Sequence, residues 1–113
     1  MLIFKILRSE EWAELRAKGE TDGAPVDLAD GFVHFSTAEQ LAGTAARHFA
    51  GAEGLELLAV EAARLGDALK WEVSRGGAEF PHLYASLRLE DVLWHKPLPW
   101  DGTRHIIPEL ATP

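Results

Sequence analysis

The first apolar run, Leu2-Ile3-Phe4-Lys5-Ile6-Leu7, is broken only by Lys5 and predicts a strand. Ser9 follows as an N-cap candidate, with Glu10 and Glu11 where the positive end of a helix favours carboxylates. Trp12 and Leu15 would face the core and Gly19 would end this helix, over residues 9–18. Residues 20–30 read as a loop long enough to form a flap. Gly31-Phe32-Val33-His34-Phe35 predicts a short strand that ends at a second helix, over residues 37–50. Ser36 and Glu39 have capping-box spacing there, and Ala38, Leu41, Ala45, His48 and Phe49 recur every three or four residues up to Gly51.

Residues 55–60 are strongly apolar and predict a buried central strand. Residues 69–73 alternate, which assigns Leu69, Trp71 and Val73 to one face and Lys70 and Glu72 to the polar one. Residues 80–87 read as extended, since Pro81 disfavours helix in the residue before it. A turn or helical stub at Leu89-Glu90-Asp91 and a strand over residues 92–95 follow, closed by Pro97, Pro99 and Asp101-Gly102. This order predicts an α+β fold, a mixed β-sheet with two helices, in a single domain over residues 1–113.

Composition narrows the function classes. At 113 residues, 47% hydrophobic and 26% charged, the chain fills one core and has ordinary globular composition. Without cysteine it has no disulfide framework, thiolate metal site or Cys nucleophile. No run reaches the length of a membrane span and the apolar start is too short for a secretory signal, so a cytoplasmic location is the default expectation. The net charge of −7, with no basic block, argues against duplex nucleic acid or an anionic membrane as partner. One or two local arginines still suffice for a small anionic ligand.

Two short segments carry the candidate chemistry. His34 and Ser36 lie two residues apart at a strand-to-helix junction, where imidazole and hydroxyl share a face near a helix N-terminus suited to phosphate. The plainer alternative makes Ser36 a cap and His34 a satisfied core histidine. His82 and Tyr84 share a face in the same way beside Pro81, against an edge strand with a satisfied tyrosine. Glu72 is a candidate general base or ribose-hydroxyl acceptor, or a solvated strand glutamate. The histidines at 34, 48, 82, 95 and 105 lack any short metal-binding spacing, so no metal is expected. There is no nucleophile elbow, P-loop or dinucleotide fingerprint.

Gly31-Phe32-Val33-His34-Phe35-Ser36-Thr37, followed by Glu39-Gln40, resembles the Gly-Phe-Ile-His-Cys-Ser signature of a bacterial family known as domain of unknown function 952. Phe80-Pro81-His82-Leu83-Tyr84 resembles that family's second signature, Phe-Pro-His-Leu-Tyr-Gly, and Trp12 and Trp71-Glu72 fall in family order. The resemblance spans nearly the whole chain. It departs from the family pattern at Lys5, where histidine is common, at Ala85, where glycine is usual, and at Phe35, which replaces cysteine.

That family is grouped by fold with the ADP-ribosyltransferases, so the resemblance implies an ADP-ribosylation-like fold with NAD or a related nucleotide in a cleft between two small sheets. By this analogy Lys5, His34, Ser36 and Tyr84 would bind the nucleotide. His34 would orient ribose hydroxyls, and Glu72 or His82 would stabilise an oxocarbenium-like centre, making His34, Glu72 and His82 the catalytic set. Two alternatives stand beside a transferase: a non-enzymatic module that binds a small ligand in the cleft, and a homo-oligomeric interaction module using exposed Trp94 and Trp100.

Overall fold

The computed structural model describes residues 1–111. In chain order the elements are β1 (Leu2–Leu7), α1 (Ser9–Lys18), β2 (Glu20–Thr21), α2 (Pro25–Asp30), β3 (Val33–His34), α3 (Ala38–His48), β4 (Leu55–Glu61), β5 (Leu69–Val73), β6 (Glu79–Leu83), β7 (Leu87–Arg88) and β8 (Val92–Leu98). A 3-10 segment spans Ala62–Ala68, and single 3-10 turns lie at Arg75–Gly77 and Leu89–Asp91.

β4 is the middle strand of the largest layer, paired antiparallel with β1 on one side and β8 on the other. Alternation gives this layer an apolar surface on each face. Ile3 and Leu7 of β1, with Leu58 and Val60 of β4, pack against Trp12 and Leu15 of α1 and against Val33, Phe35, Leu83 and Leu87. Phe4 and Ile6, with Leu55, Leu57 and Ala59, pack on the opposite side against Leu41 and Ala45 of α3, Trp94 and Leu98. Burial on both faces is why β4 reads as a nearly unbroken apolar run. Pro97 does not end β8, because that strand is a sheet edge where a missing N–H costs no ladder bond.

The expected mixed β-sheet with two helices, and the ADP-ribosylation-like fold implied with it, is not what the chain forms. The chain is α+β, but every strand pairing among the described residues is antiparallel. The strands fall into three sheets, β1–β4–β8, β2–β7 and β3–β6–β5. Among the described residues four helical segments exceed three residues, three α-helices and the 3-10 segment Ala62–Ala68, which is kinked at Gly66. α2 lies inside the stretch expected to be a loop. Pro25 in its first turn and Gly31 just past its end, at φ 87°, are ordinary start and stop signals, but six residues are too few to show a helical period.

Smaller corrections follow from local hydrogen bonding. α3 is capped by Thr37, whose Oγ1 accepts from the Gln40 N–H at 3.3 Å while Gln40 Oε1 accepts from the Thr37 N–H at 3.1 Å. This capping box replaces the expected Ser36/Glu39 pair and releases Ser36 for another partner. Ser9 is already helical, and Glu11 accepts from the Arg8 N–H at 2.8 Å to close the start of α1. In β5 the alternation holds, but Trp71 and Val73 are exposed and Glu72 turns towards β6. Trp94 is 7% exposed and in ring contact with Phe4 at 6.0 Å, so it is core rather than a surface for another copy. No helix among the described residues is long and apolar enough to cross a membrane.

One stretch joins two of the sheets. β3 pairs with β6, with His34 opposite His82. Two residues further on, Ser36 exchanges backbone hydrogen bonds with Phe4 of β1, at 2.8 and 2.9 Å. The candidate site is built against this junction.

Candidate functional site

A cavity of about 830 Å³ opens here, lined from β1 by Phe4, Lys5 and Ile6, from the junction by His34, Phe35 and Ser36, and from β6 by Phe80 and His82. Its size lies within the range of small-molecule sites. Asp27 of α2, 1% exposed, organises the wall from behind. Its Oδ2 accepts from Lys5 Nζ at 2.8 Å and the Ala24 N–H at 2.7 Å. Its Oδ1 accepts from the His34 N–H at 3.0 Å and from His34 Nδ1 at 2.6 Å. Four donors on one buried carboxylate satisfy its charge without water. Burial pushes the Asp27 carboxyl up, but the bonds from His34 and the Lys5 ammonium outweigh it and hold the pKa down to about 2. Burial pulls Lys5 below its ordinary value, with Asp27 pulling the other way.

His34 is consequently fixed. Its Nε2 also lies 3.0 Å from Asp30 Oδ2, so each ring nitrogen faces a carboxylate of α2. His82 faces it from β6, with the ring centroids 5.3 Å apart and nearly edge-on. The Nδ1 of His82 lies 2.8 Å from Glu72 Oε1, the oxygen that also accepts from Tyr84 OH at 2.7 Å. Bonds from Tyr84 and His82 hold the Glu72 carboxyl below its usual range, and the same contact pushes the Tyr84 phenol up. Phe32 stacks on His82 at 4.1 Å and tilts against His34 at 4.5 Å, so both imidazoles are held by one aromatic ring. With Nδ1 bonded to a carboxylate, His82 presents Nε2 as its remaining polar atom.

The α3 side of the cavity carries Thr44, Arg47 and His48, with Arg75 reaching in from the turn after β5. Ser36 Oγ and Thr44 Oγ1 are 2.7 Å apart. Arg75 donates to Thr44 Oγ1 at 3.4 Å, lies 3.5 Å from His48 Nε2, and stacks over Phe80 at 5.0 Å.

The model of a family described as proteins of unknown function, DUF952, matches residues 6–95. The chain belongs to the DUF952 family. The crystal structure of protein CC0527 from Caulobacter crescentus is similar at 50% sequence identity and a TM-score of 0.90, over 93% of this chain and 92% of that one. The solution NMR structure of CC0527 is similar at 51% identity and a TM-score of 0.82, over 92% and 90%. A comparison with curated proteins gave no match.

Of the residues singled out in this DUF952 sequence, Lys5, His34, Ser36 and His82 line one cavity. Glu72 does not line it and reaches it only through His82. Tyr84 instead borders a separate hollow of about 380 Å³ with Phe32, Leu83 and Ala85. Lys5 is committed to Asp27. The five histidines do not gather: His95 pairs with Glu56 and His105 with the Phe49 carbonyl, while His34, His48 and His82 line the cavity. Asp27, Asp30, Thr44, Arg47 and Arg75 were not singled out. The Pro25-to-Gly31 helix signals could have drawn attention to Asp27; nothing local marks Arg75, which sits beside a Gly-Gly turn.

Proposed function

We propose that the cavity binds a nucleotide-type small ligand of the NAD class and that His34 and His82 are the side chains that handle its ribose. The observation that carries this reading is the pair itself. Two histidines from different strands, each fixed through Nδ1 by its own carboxylate, meet 5.3 Å apart on the wall of one cavity. Imidazoles held in one orientation suit hydroxyl recognition and proton transfer, since no rotamer search is needed when the ligand arrives. Transfer chemistry at the ribose would then use His82 Nε2 directly, and His34 Nε2 once a ribose hydroxyl replaces the exposed Asp30 carboxylate, with Asp27 and Glu72 as positioning residues.

The test is a thermal-shift and calorimetric comparison of NAD, ADP-ribose and AMP on the protein and on His34→Gln and His82→Gln. A ligand at 100 times its Kd stabilises the native state by about 2.7 kcal/mol. A rise in Tm with one of these ligands, reduced in both variants, supports the reading. No rise at millimolar concentration, or an equal rise in the variants, overturns it.

The Lys5–Asp27 pair favours a second reading, a binding module without turnover. Its ammonium is buried and bonded within the protein, so it offers a ligand no proton or charge. Chromatography of NAD after prolonged incubation separates the two: intact NAD despite measurable binding selects the module.

A further inference from the structure

The α3 side of the cavity holds a cation, Arg75, without a carboxylate contact among the described residues. In a chain with 18 acidic and 11 basic side chains, counting Asp, Glu, Lys and Arg, most cations have an acidic neighbour to choose. Among the described residues Arg75 instead meets Thr44 Oγ1, His48 Nε2 and the face of Phe80, and no carboxylate. Both polar contacts are long, 3.4 and 3.5 Å, as expected of a guanidinium waiting for a stronger acceptor. The side chain crosses α3 at Gly43, where an added Cβ would lie 3.5 Å from Arg75 Nη2. Next to it, Ser36 Oγ and Thr44 Oγ1 form a hydroxyl pair, with Arg47 on the same side of the cavity.

We propose that Arg75, Thr44, Ser36 and His48 form the seat of a phosphoryl group, so that a ligand enters with its phosphate on α3 and its ribose at His34 and His82. This deepens the nucleotide reading above and rests on it for the ribose half alone. A guanidinium offers parallel N–H donors to two oxygens of a tetrahedral dianion, and the two hydroxyls supply further donors to a third. His48 completes the seat. Burial and the positive charge facing it from Arg75, Arg47 and His34 hold its pKa below the ordinary imidazole value. A dianion set among these cations removes that opposition, so its arrival draws a proton onto His48. Occupancy of the seat is therefore coupled to proton uptake and tightens as the pH falls.

Sulfate is the probe, because it stays a dianion across the whole working range while phosphate does not. The full chain is titrated with sulfate at pH 5.5 and pH 8, followed by backbone and arginine side-chain NMR. The expected result is shifts centred on Ser36, Thr44, His48 and Arg75, with affinity higher at pH 5.5. Arg75→Gln should weaken binding by at least about tenfold, and His48→Gln should flatten the pH dependence while keeping the shifts at Arg75. Thr44→Val serves as a second variant that leaves both charges in place and should weaken binding several-fold. Shifts elsewhere, or unchanged affinity in Arg75→Gln, would overturn the seat. Sulfate at the seat with no binding of NAD, ADP-ribose or AMP would keep the seat and remove the nucleotide reading. Nucleotide binding untouched by Arg75→Gln would do the reverse.

Discussion

His34 and His82 stand opposite one another in antiparallel register, 5.3 Å between ring centroids, yet share no carboxylate. Each answers to a partner on a different element, Asp27 on α2 and Glu72 on β5. The two partners differ sharply in burial, and most of the expected behaviour of the site follows from that difference.

Asp27 is buried and holds Lys5, so removing it leaves a buried ammonium unpaired. Asp27→Ala is expected to cost about 3–5 kcal/mol in urea unfolding. Lys5→Met should cost less than half as much, because Asp27 keeps the Ala24 N–H and both His34 donors. Equal losses from the two substitutions would mean that the ion pair, rather than the whole donor set, holds α2 in place.

Acid should expose the same carboxylate. Its folded pKa, about 2, lies below the ordinary aspartate value of about 3.9, so its stabilisation is complete above pH 4 and is lost as the pH falls towards 2. The loss amounts to about 2 kcal/mol at this one group. Stability measured by urea between pH 5 and pH 2 should therefore fall more steeply for the protein than for Asp27→Asn. Parallel curves would remove Asp27 as the source.

Gly23 guards this arrangement. It sits at φ 106°, and a Cβ there would lie 2.2 Å from Asp27 Oδ2. Gly23→Ala is expected to lose more than about 2 kcal/mol, from strained backbone and a displaced carboxylate together. The same substitution at Gly19, also at positive φ but with nothing within 4 Å, should lose less. Melting curves of the two variants side by side check the ordering.

Glu72 gives a cleaner spectroscopic handle, because Tyr84 is the chain's one tyrosine. Its phenol donates to Glu72, which pushes its titration above the ordinary value near 10. An ultraviolet pH titration should show this upward shift and its disappearance in Glu72→Gln. The His82 ring ¹⁵N shifts should move in the same variant, reporting the loss of the carboxylate that fixes Nδ1. An unmoved tyrosine titration would break the proposed link between Tyr84, Glu72 and His82.

What the sequence by itself determined was local and periodic. Period-two alternation placed His34 with Ser36 and His82 with Tyr84, cap and stop signals found α1, and a three-to-four spacing found α3, because these signals act through the local backbone. The apolar run at residues 55–60 marked β4 as the strand covered on both faces. What stood opposite each of these faces was not legible. Alternation put Trp71 and Val73 on the apolar face of β5 and Glu72 on the polar one, but did not show that Glu72 would meet His82 on β6 while the two apolar residues stayed exposed. Ser36 looked like a cap until Thr37 took that role, and Asp27, lodged in an expected loop, became the residue that fixes His34 and Lys5. Arg75, 31 positions from Thr44, reached the cavity only because the turn after β5 folds against α3. Periodicity encodes which way a residue faces. The partner it meets there depends on contacts between distant segments, and these form only when the sheets and helices pack.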